Sequence, residues 1–232
     1  MNRRIVVGDI HGCSRTFQRL LEERIKLEKG DILILTGDYI DRGPGSRAVI
    51  DYILRLQHES YHLVTLMGNH EYLLLHSQGS IEYYKLWMLN CGFTTLRDFG
   101  IDGSSYPGPE AIHLIPDIYM RFFQELSYYA ETPGYFISHA CFEGRTADPL
   151  DDLQSMIWKR DEYYNEEFLN GRKLIHGHTP EPMELIRGRV MDPATRIYNV
   201  DGGCVYPKRP GLGYLCAFDL DSRDFFAQKN CE

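Results

Sequence analysis

Short apolar runs that each end in a polar loop containing glycine or histidine constrain this chain more than any other feature. Arg4-Ile5-Val6-Val7-Gly8, residues 31–36 (Asp-Ile-Leu-Ile-Leu-Thr) and residues 62–67 (His-Leu-Val-Thr-Leu-Met) have the length and branched composition of buried strands. Between the first two, Phe17, Leu20, Leu21 and Ile25 recur at helical spacing after Ser14, which is placed to cap a helix that closes at Gly30. Between the second and third, Val49, Tyr52, Ile53 and Leu56 do the same after Ser46. Strand, helix, strand, helix, strand is the pattern of crossover units, so the chain is expected to be α/β with a parallel or mixed sheet.

Strand-like runs return at 135–138 and 173–175, and the tail reads as antiparallel strands at 196–200, 213–219 and 225–228. Residues 77–130 differ in texture. Tyr83, Tyr84, Trp87, Phe93, Phe99, Tyr106, Tyr119, Phe122, Phe123, Tyr128 and Tyr129 crowd this stretch, with glycine and proline breaks around 100–109. It reads as two or three helices joined by an irregular loop, a helical and aromatic-rich insertion. Its rings are expected to pack helices together; the alternative is a cap bordering a substrate groove. With no repeat, low-complexity tract or long linker, 232 residues are read as one domain, 1–232.

The loops carry the chemistry. Gly8-Asp9-Ile10-His11-Gly12, Gly37-Asp38-Tyr39-Ile40-Asp41-Arg42-Gly43, Gly68-Asn69-His70-Glu71, Ser138-His139-Ala140 and His176-Gly177-His178-Thr179 each follow a strand run. In open α/β sheets ligands bind beyond the carboxyl ends of the strands, so these loops should converge on one edge. Any one of them, taken alone, is the ordinary chemistry of a turn. Together they bring carboxylates, imidazoles and an amide oxygen to one place, a mixed N/O donor set suited to manganese, iron or zinc. No cysteine stands among the apparent ligands, which argues against a structural zinc or iron–sulfur site.

The ordered series GDIHG, GDYIDRG, GNHE, a strand-end His and GHT resembles the calcineurin-like metallophosphoesterases, and within them the branch of serine/threonine phosphoprotein phosphatases and symmetrical dinucleoside tetraphosphatases, of small bacterial or phage type. The resemblance spans Gly8 to Thr179. It implies an α-β-β-α sandwich with mixed sheets and a dinuclear metal site at the C-terminal strand ends. Asp9 and His11 would bind one ion, Asp38 would bridge both, and Asn69, His139 and His178 would bind the other. His176, two residues before the matching histidine, is left as a donor behind the ligands, a substrate contact or a plain strand residue. Two divalent ions, manganese first with iron or zinc as alternatives, would acidify a shared water, and the bridging hydroxide would attack phosphorus in line. His70, oriented by Asp41, would protonate the leaving oxygen. Arg42 would bind the phosphoryl oxygens with Asn69 and His70, joined by a second arginine. Trp158-Lys159-Arg160 resembles the Trp-x-Arg of small family members and selects Arg160 over Arg145 and Arg172. The run His139-Ala140-Cys141 departs from the His-Gly-Gly common in eukaryotic members.

The expected substrate is a phosphoprotein, cleaved at phosphoserine or phosphothreonine, or else a small phosphorylated molecule; the alternative is a dinucleoside tetraphosphate, and a non-catalytic scaffold would have lost a ligand or the His/Asp pair. A net charge of −8, from 25 basic and 33 acidic residues, disfavours broad binding to nucleic acid or an anionic membrane. No apolar run reaches the length of a membrane span, no secretory leader is evident, and the six cysteines form no close-spaced framework; the expectation is a cytoplasmic protein with reduced thiols. Oligomeric state is not legible in these patterns.

Overall fold

A computed structural model describes residues 3–146 and 148–232. Alternation along the first strands explains the layering. In β1 (Arg4–Val7), Ile5 and Val7 join one apolar cluster while Val6 between them joins another. β2 (Ile32–Leu35) repeats this, with Leu33 and Leu35 on the first side and Ile34 on the second. Successive side chains point to opposite faces of a strand, so a sheet buried on both faces needs such continuous apolar runs.

β2 lies between β1 and β3 (His62–Thr65), and all three are parallel. Against β1 lie β8 (Tyr214–Asp219) and then β9 (Phe225–Lys229), both antiparallel to their neighbours, giving the order β3-β2-β1-β8-β9. A second sheet has the order β4-β5-β6-β7, from β4 (Tyr129–Thr132), β5 (Tyr135–Ser138), β6 (Lys173–His176) and β7 (Ile197–Asn199). The sheets face each other across Val6, Ile34, Ile137, Ile175, Tyr198 and Phe218.

On the outer face of the first sheet pack α1 (Ser14–Arg19), α2 (Ser46–His58) and α3 (Asn69–Ser77), through Phe17, Val49, Ile53 and Leu73. A π-helical turn at Leu20–Ile25 prolongs α1 and stops at Lys26, whose left-handed φ of 52° ends it. α4 (Ile81–Leu89), α5 (Gly92–Asp98), a 3-10 turn at Pro109–Leu114 and α6 (Asp117–Gln124) extend this layer. Phe136 and Leu174 on the outer face of the second sheet are covered by Met156 of α7 (Ser155–Trp158) and Leu169 of α8 (Glu166–Leu169). The result is the α-β-β-α sandwich with mixed sheets. Among the described residues no helix is long and apolar enough to cross a membrane, and all six cysteines are free.

Three expectations are corrected. The strand near 196–200 does not belong to an antiparallel tail. As β7 it pairs parallel with β6, Ile175 opposite Tyr198, because α9 (Met183–Met191) carries the chain back across the second sheet. Ser14 and Ser46 are the first helical residues rather than the caps, which are Cys13 and Gly45 and make no side-chain capping bond. Finally, Tyr129 leaves the helical stretch and enters β4, where its ring stacks on Phe136 at 5.2 Å. The other expected helix-packing rings fall out as read for Tyr84, Trp87, Tyr119, Phe122 and Phe123, all buried, whereas Phe93 and Tyr106 are exposed.

Candidate metal centre

Strands from both sheets end at one place. β1, β2 and β3 deliver Asp9, His11, Asp38 and Asn69; β5 and β6 deliver His139 and His178, and all six side chains are buried. Close approach of the loops depends on glycine. A Cβ on Gly68 would lie 2.2 Å from Asp38 Oδ1, and one on Gly177 would lie 2.1 Å from Asp9 Oδ1, so neither position has room for a side chain.

Asp38 is the hub. His11 Nε2 lies 3.3 Å from its Oδ2, His139 Nε2 lies 3.5 Å from its Oδ1, and His70 Nε2 lies 3.9 Å from Oδ2. Asn69 Oδ1 sits 3.2 Å from His139 Nε2 and 3.1 Å from His178 Nδ1. Asp9 joins through its carboxylate, which accepts the His178 backbone N–H at 3.0 Å. Two groups have donor atoms mutually within 4.8 Å: His11, Asp38 and His70, and Asp38, His139 and His178. Asp38 is common to both, as a bridging ligand requires, while Asp9 belongs to neither triad. His11 donates Nδ1–H to the Ile40 carbonyl at 2.9 Å and His139 donates Nδ1–H to the Thr36 carbonyl at 3.0 Å. Those bonds fix the tautomers and leave each Nε2 lone pair facing the cluster, the usual arrangement behind a metal-bound imidazole.

The electrostatics fit cations. Burial, reinforced by Arg42 at His11 and by His139 at His178, lowers the pKa of both imidazoles, His178 to about 2, and burial lowers His139 as well. Neutral imidazoles are what metal ions bind. Burial opposes charge on Asp38, but the surrounding His139, His70, His11 and Arg42 hold its carboxyl far below the usual range. Asp9 is raised well above its ordinary value by burial and by the charges of Asp201 and Asp38. Three carboxylates thus converge in a buried space where Arg42 is the facing cation, a mismatch that divalent ions would relieve.

Beside the hub, His70 Nδ1 lies 2.7 Å from Asp41 Oδ2, and both side chains are fully buried. His70 Nε2 is left without a hydrogen-bond partner. Asp38, Asp41 and Arg42 all have φ between 52° and 68°, a left-handed geometry uncommon for side-chain-bearing residues and concentrated at functional sites. Glu71 supports it: one carboxylate accepts the backbone N–H groups of Asp38, Tyr39, Ile40 and Gly68 at 2.8–3.2 Å. Arg42 Nη1 contacts His11 Nε2, and Arg160 Nη1 lies 3.4 Å from the His178 carbonyl. The competing arginines lie elsewhere: Arg172 pairs with Glu131 and covers Phe136, and Arg145 lies over Tyr163. His176 belongs to neither triad. Its Nδ1 donates to the Gly177 carbonyl and its Nε2 lies 3.6 Å from Glu162; burial works against its charge, but Cys141 and Glu162 prevail and push its pKa up to about 10.

Sequence reasoning missed Asp201, buried just beyond β7, with a pKa pushed up to about 7 by burial and by Asp38. The signal was present, since Asn199-Val200-Asp201-Gly202-Gly203 repeats the strand–Asp–Gly pattern of the recognised loops. It also missed Trp87 of α4 and Thr95 of α5, which touch Asp41; no local pattern marks them.

A two-sheet sandwich whose strand ends gather a shared aspartate, histidines and an asparagine defines a metallophosphoesterase. The family model described as calcineurin-like phosphoesterase matches residues 3–204, and the chain belongs to that family; it is a hydrolase. It is 31% identical to serine/threonine-protein phosphatase 1 of Salmonella typhimurium over 87% of this chain and 86% of that one. It is also 31% identical to a symmetrical bis(5'-nucleosyl)-tetraphosphatase of Pseudomonas putida over 75% of this chain, but spans about half, 54%, of that enzyme. Among solved structures, a protein serine/threonine phosphatase of Saccharomyces cerevisiae shares the fold, with a TM-score of 0.66 at 16% identity, covering 100% of this chain and 81% of that chain.

Proposed function

We propose that the protein removes phosphate from phosphoserine or phosphothreonine in proteins, using two divalent ions, manganese by preference. What carries the choice of substrate is similarity to a serine/threonine phosphatase along nearly the full length of both chains. The tetraphosphatase similarity leaves almost half of that enzyme unmatched.

Asp9, His11 and Asp38 would hold one ion, and Asp38, Asn69, His139 and His178 the other. When bound, such ions supply a nucleophile from water at neutral pH and clamp the oxygens of a phosphate. The remaining work belongs to the chain. Arg42 and Arg160 flank the cluster and pair with phosphoryl oxygens, which a guanidinium fork matches. Asn69 and His70 complete the phosphate-binding edge. As the bond between phosphorus and the ester oxygen breaks, that oxygen takes the proton from His70 Nε2, and the Asp41 carboxylate stabilises the cationic ring through Nδ1–H.

Purified, metal-loaded protein assayed side by side on a phosphoserine peptide and on diadenosine tetraphosphate tests this reading. A higher kcat/KM on the peptide is expected. A clear preference for the dinucleotide overturns the assignment in favour of phosphoanhydride cleavage.

A further inference from the structure

Asp41 is gripped from the helical insertion as well as from its own loop. Its Oδ2, already 2.7 Å from His70 Nδ1, also accepts the indole N–H of Trp87 at 2.8 Å. Its Oδ1 accepts the Thr95 hydroxyl at 2.5 Å. Its backbone N–H reaches Thr95 Oγ1 and Ser46 Oγ, each at 3.0 Å, and those two hydroxyls lie 3.1 Å apart. Asp41, Ser46, Trp87 and Thr95 are all fully buried. Trp87 comes from α4 and Thr95 from α5, and the turn between these helices is shaped around the indole. Cys91 adopts a φ of 72°, and a Cβ on Gly92 would fall 2.5 Å from the Trp87 ring.

A carboxylate with only one partner can rotate about its χ2, and the imidazole it holds turns with it. Three donors in fixed directions remove that freedom, and in a buried site each bond is strengthened by the low local dielectric. We infer that Trp87 and Thr95 are positioning residues, which lock the Asp41 carboxylate plane and so aim His70 Nε2 at the departing oxygen. The insertion thereby sets proton delivery without touching substrate. This inference rests on reading His70 as the proton donor.

Leaving-group dependence separates the two ideas. Manganese-loaded wild type, His70→Asn, Trp87→Phe, Thr95→Val and Thr95→Ser would be assayed on 2,4-dinitrophenyl phosphate, whose leaving group needs no proton, and on phenyl phosphate, whose leaving group does. The quantity read is the ratio of kcat on the first ester to kcat on the second, with bound manganese measured per chain. His70→Asn should raise the ratio by about 10²-fold or more, the range of general acid catalysis. Trp87→Phe and Thr95→Val should each raise it by about tenfold, with metal content unchanged, because a misaimed acid forfeits part of the same effect. Thr95→Ser, which restores the hydroxyl, should return it to the wild-type value. An unchanged ratio in His70→Asn overturns the proton-donor reading itself. A raised ratio in His70→Asn beside unchanged ratios in both Trp87→Phe and Thr95→Val overturns the positioning role alone, as does a Thr95→Ser ratio equal to that of Thr95→Val.

Discussion

Replacing Glu71 by glutamine changes one oxygen into an NH2 group and almost nothing in shape. In this structure that exchange should be costly. Oε2 accepts the N–H groups of Asp38 and Gly68 at 2.9 and 3.1 Å, and Oε1 accepts those of Tyr39 and Ile40 at 2.8 and 3.2 Å. A glutamine keeps one oxygen for two of the four donors and turns its own N–H groups against the other two. Burial and the nearby Asp38 push the Glu71 carboxyl up, while the N–H groups of Ile40 and Tyr39 pull it back. With both oxygens filled by donors, a carboxyl proton has no acceptor to meet, so the native group is a carboxylate. Hydrogen bonds to a charged group contribute about 1.5–3 kcal/mol each, and losing two gives a destabilisation of about 3–6 kcal/mol. Urea unfolding of the metal-free protein measures it; the midpoint should fall with an unchanged m-value. In thermal unfolding the same loss corresponds to a drop of about 6–24 °C for a chain of this size. Calorimetric titration with manganese should also show weaker binding, because whichever pair of donors the amide opposes includes a backbone N–H of the Asp38 to Ile40 loop, which then loses an anchor beside the candidate metal positions. A loss below about 1 kcal/mol with unaltered manganese affinity refutes the reasoning and means that Glu71 is protonated in the native protein.

Three further outcomes follow from the geometry. Asp38→Asn should depress occupancy of both metal positions at once, read as manganese per chain after gel filtration, with activity falling in parallel, whereas His70→Asn should leave occupancy intact. Gly177→Ala places a methyl group 2.1 Å from Asp9 Oδ1, which must move aside, and should weaken manganese binding by at least about tenfold in calorimetry, on the scale of about 1.4 kcal/mol per decade. Asp31 accepts bonds from the Arg3 guanidinium and from the backbone N–H of Glu28; burial raises its carboxyl, but these partners prevail and lower it below its ordinary value. A depressed folded pKa gives stability that is present above the unfolded value of about 3.9 and is lost as pH falls through the folded one. Asp31→Asn should therefore destabilise the fold at pH 7, by about 1–3 kcal/mol in urea unfolding, and the gap to wild type should close as pH falls below the unfolded value and through the depressed folded one.

What was legible in the sequence was whatever repeated locally. β1 and β2 announced themselves by apolar runs buried on both faces, whereas β3, read as buried in the same way, is an edge strand whose residues are half-buried or exposed; the candidate ligands Asp9, His11, Asp38, Asn69, His139 and His178 stood in loops with recognisable local grammar. The parallel pairing of β7 was not visible, because the helix that makes it parallel, Met183–Met191, carries Gly188 and several charged residues on a weak periodicity. Serine read as a cap in Ser46 is one position too late; its hydroxyl meets the Asp41 N–H instead, a contact set by tertiary packing. The partners of Asp41 were hidden for the same reason, since Trp87 and Thr95 stand 46 and 54 positions away and look like ordinary packing residues of helices. Net charge misled in a smaller way. Part of the acidic excess is the buried set Asp9, Asp38 and Asp201, which faces the candidate ion positions and not the solvent.

The candidate metal ligands also divide by layer, four from the sheet of β1–β3 and two from the sheet of β5–β6. Already His178 N–H binds Asp9, and His139 binds the Thr36 carbonyl, across the line where the sheets meet. Ions held there would act as rivets through both plates of the sandwich, and their binding energy would then also be adhesion between the layers. By linkage, stripping them should loosen the seam before it unfolds either sheet. Amide exchange in the chelated protein would show this as protection lost first at the strand ends around His139 and Gly177, while the middle of β2 stays closed.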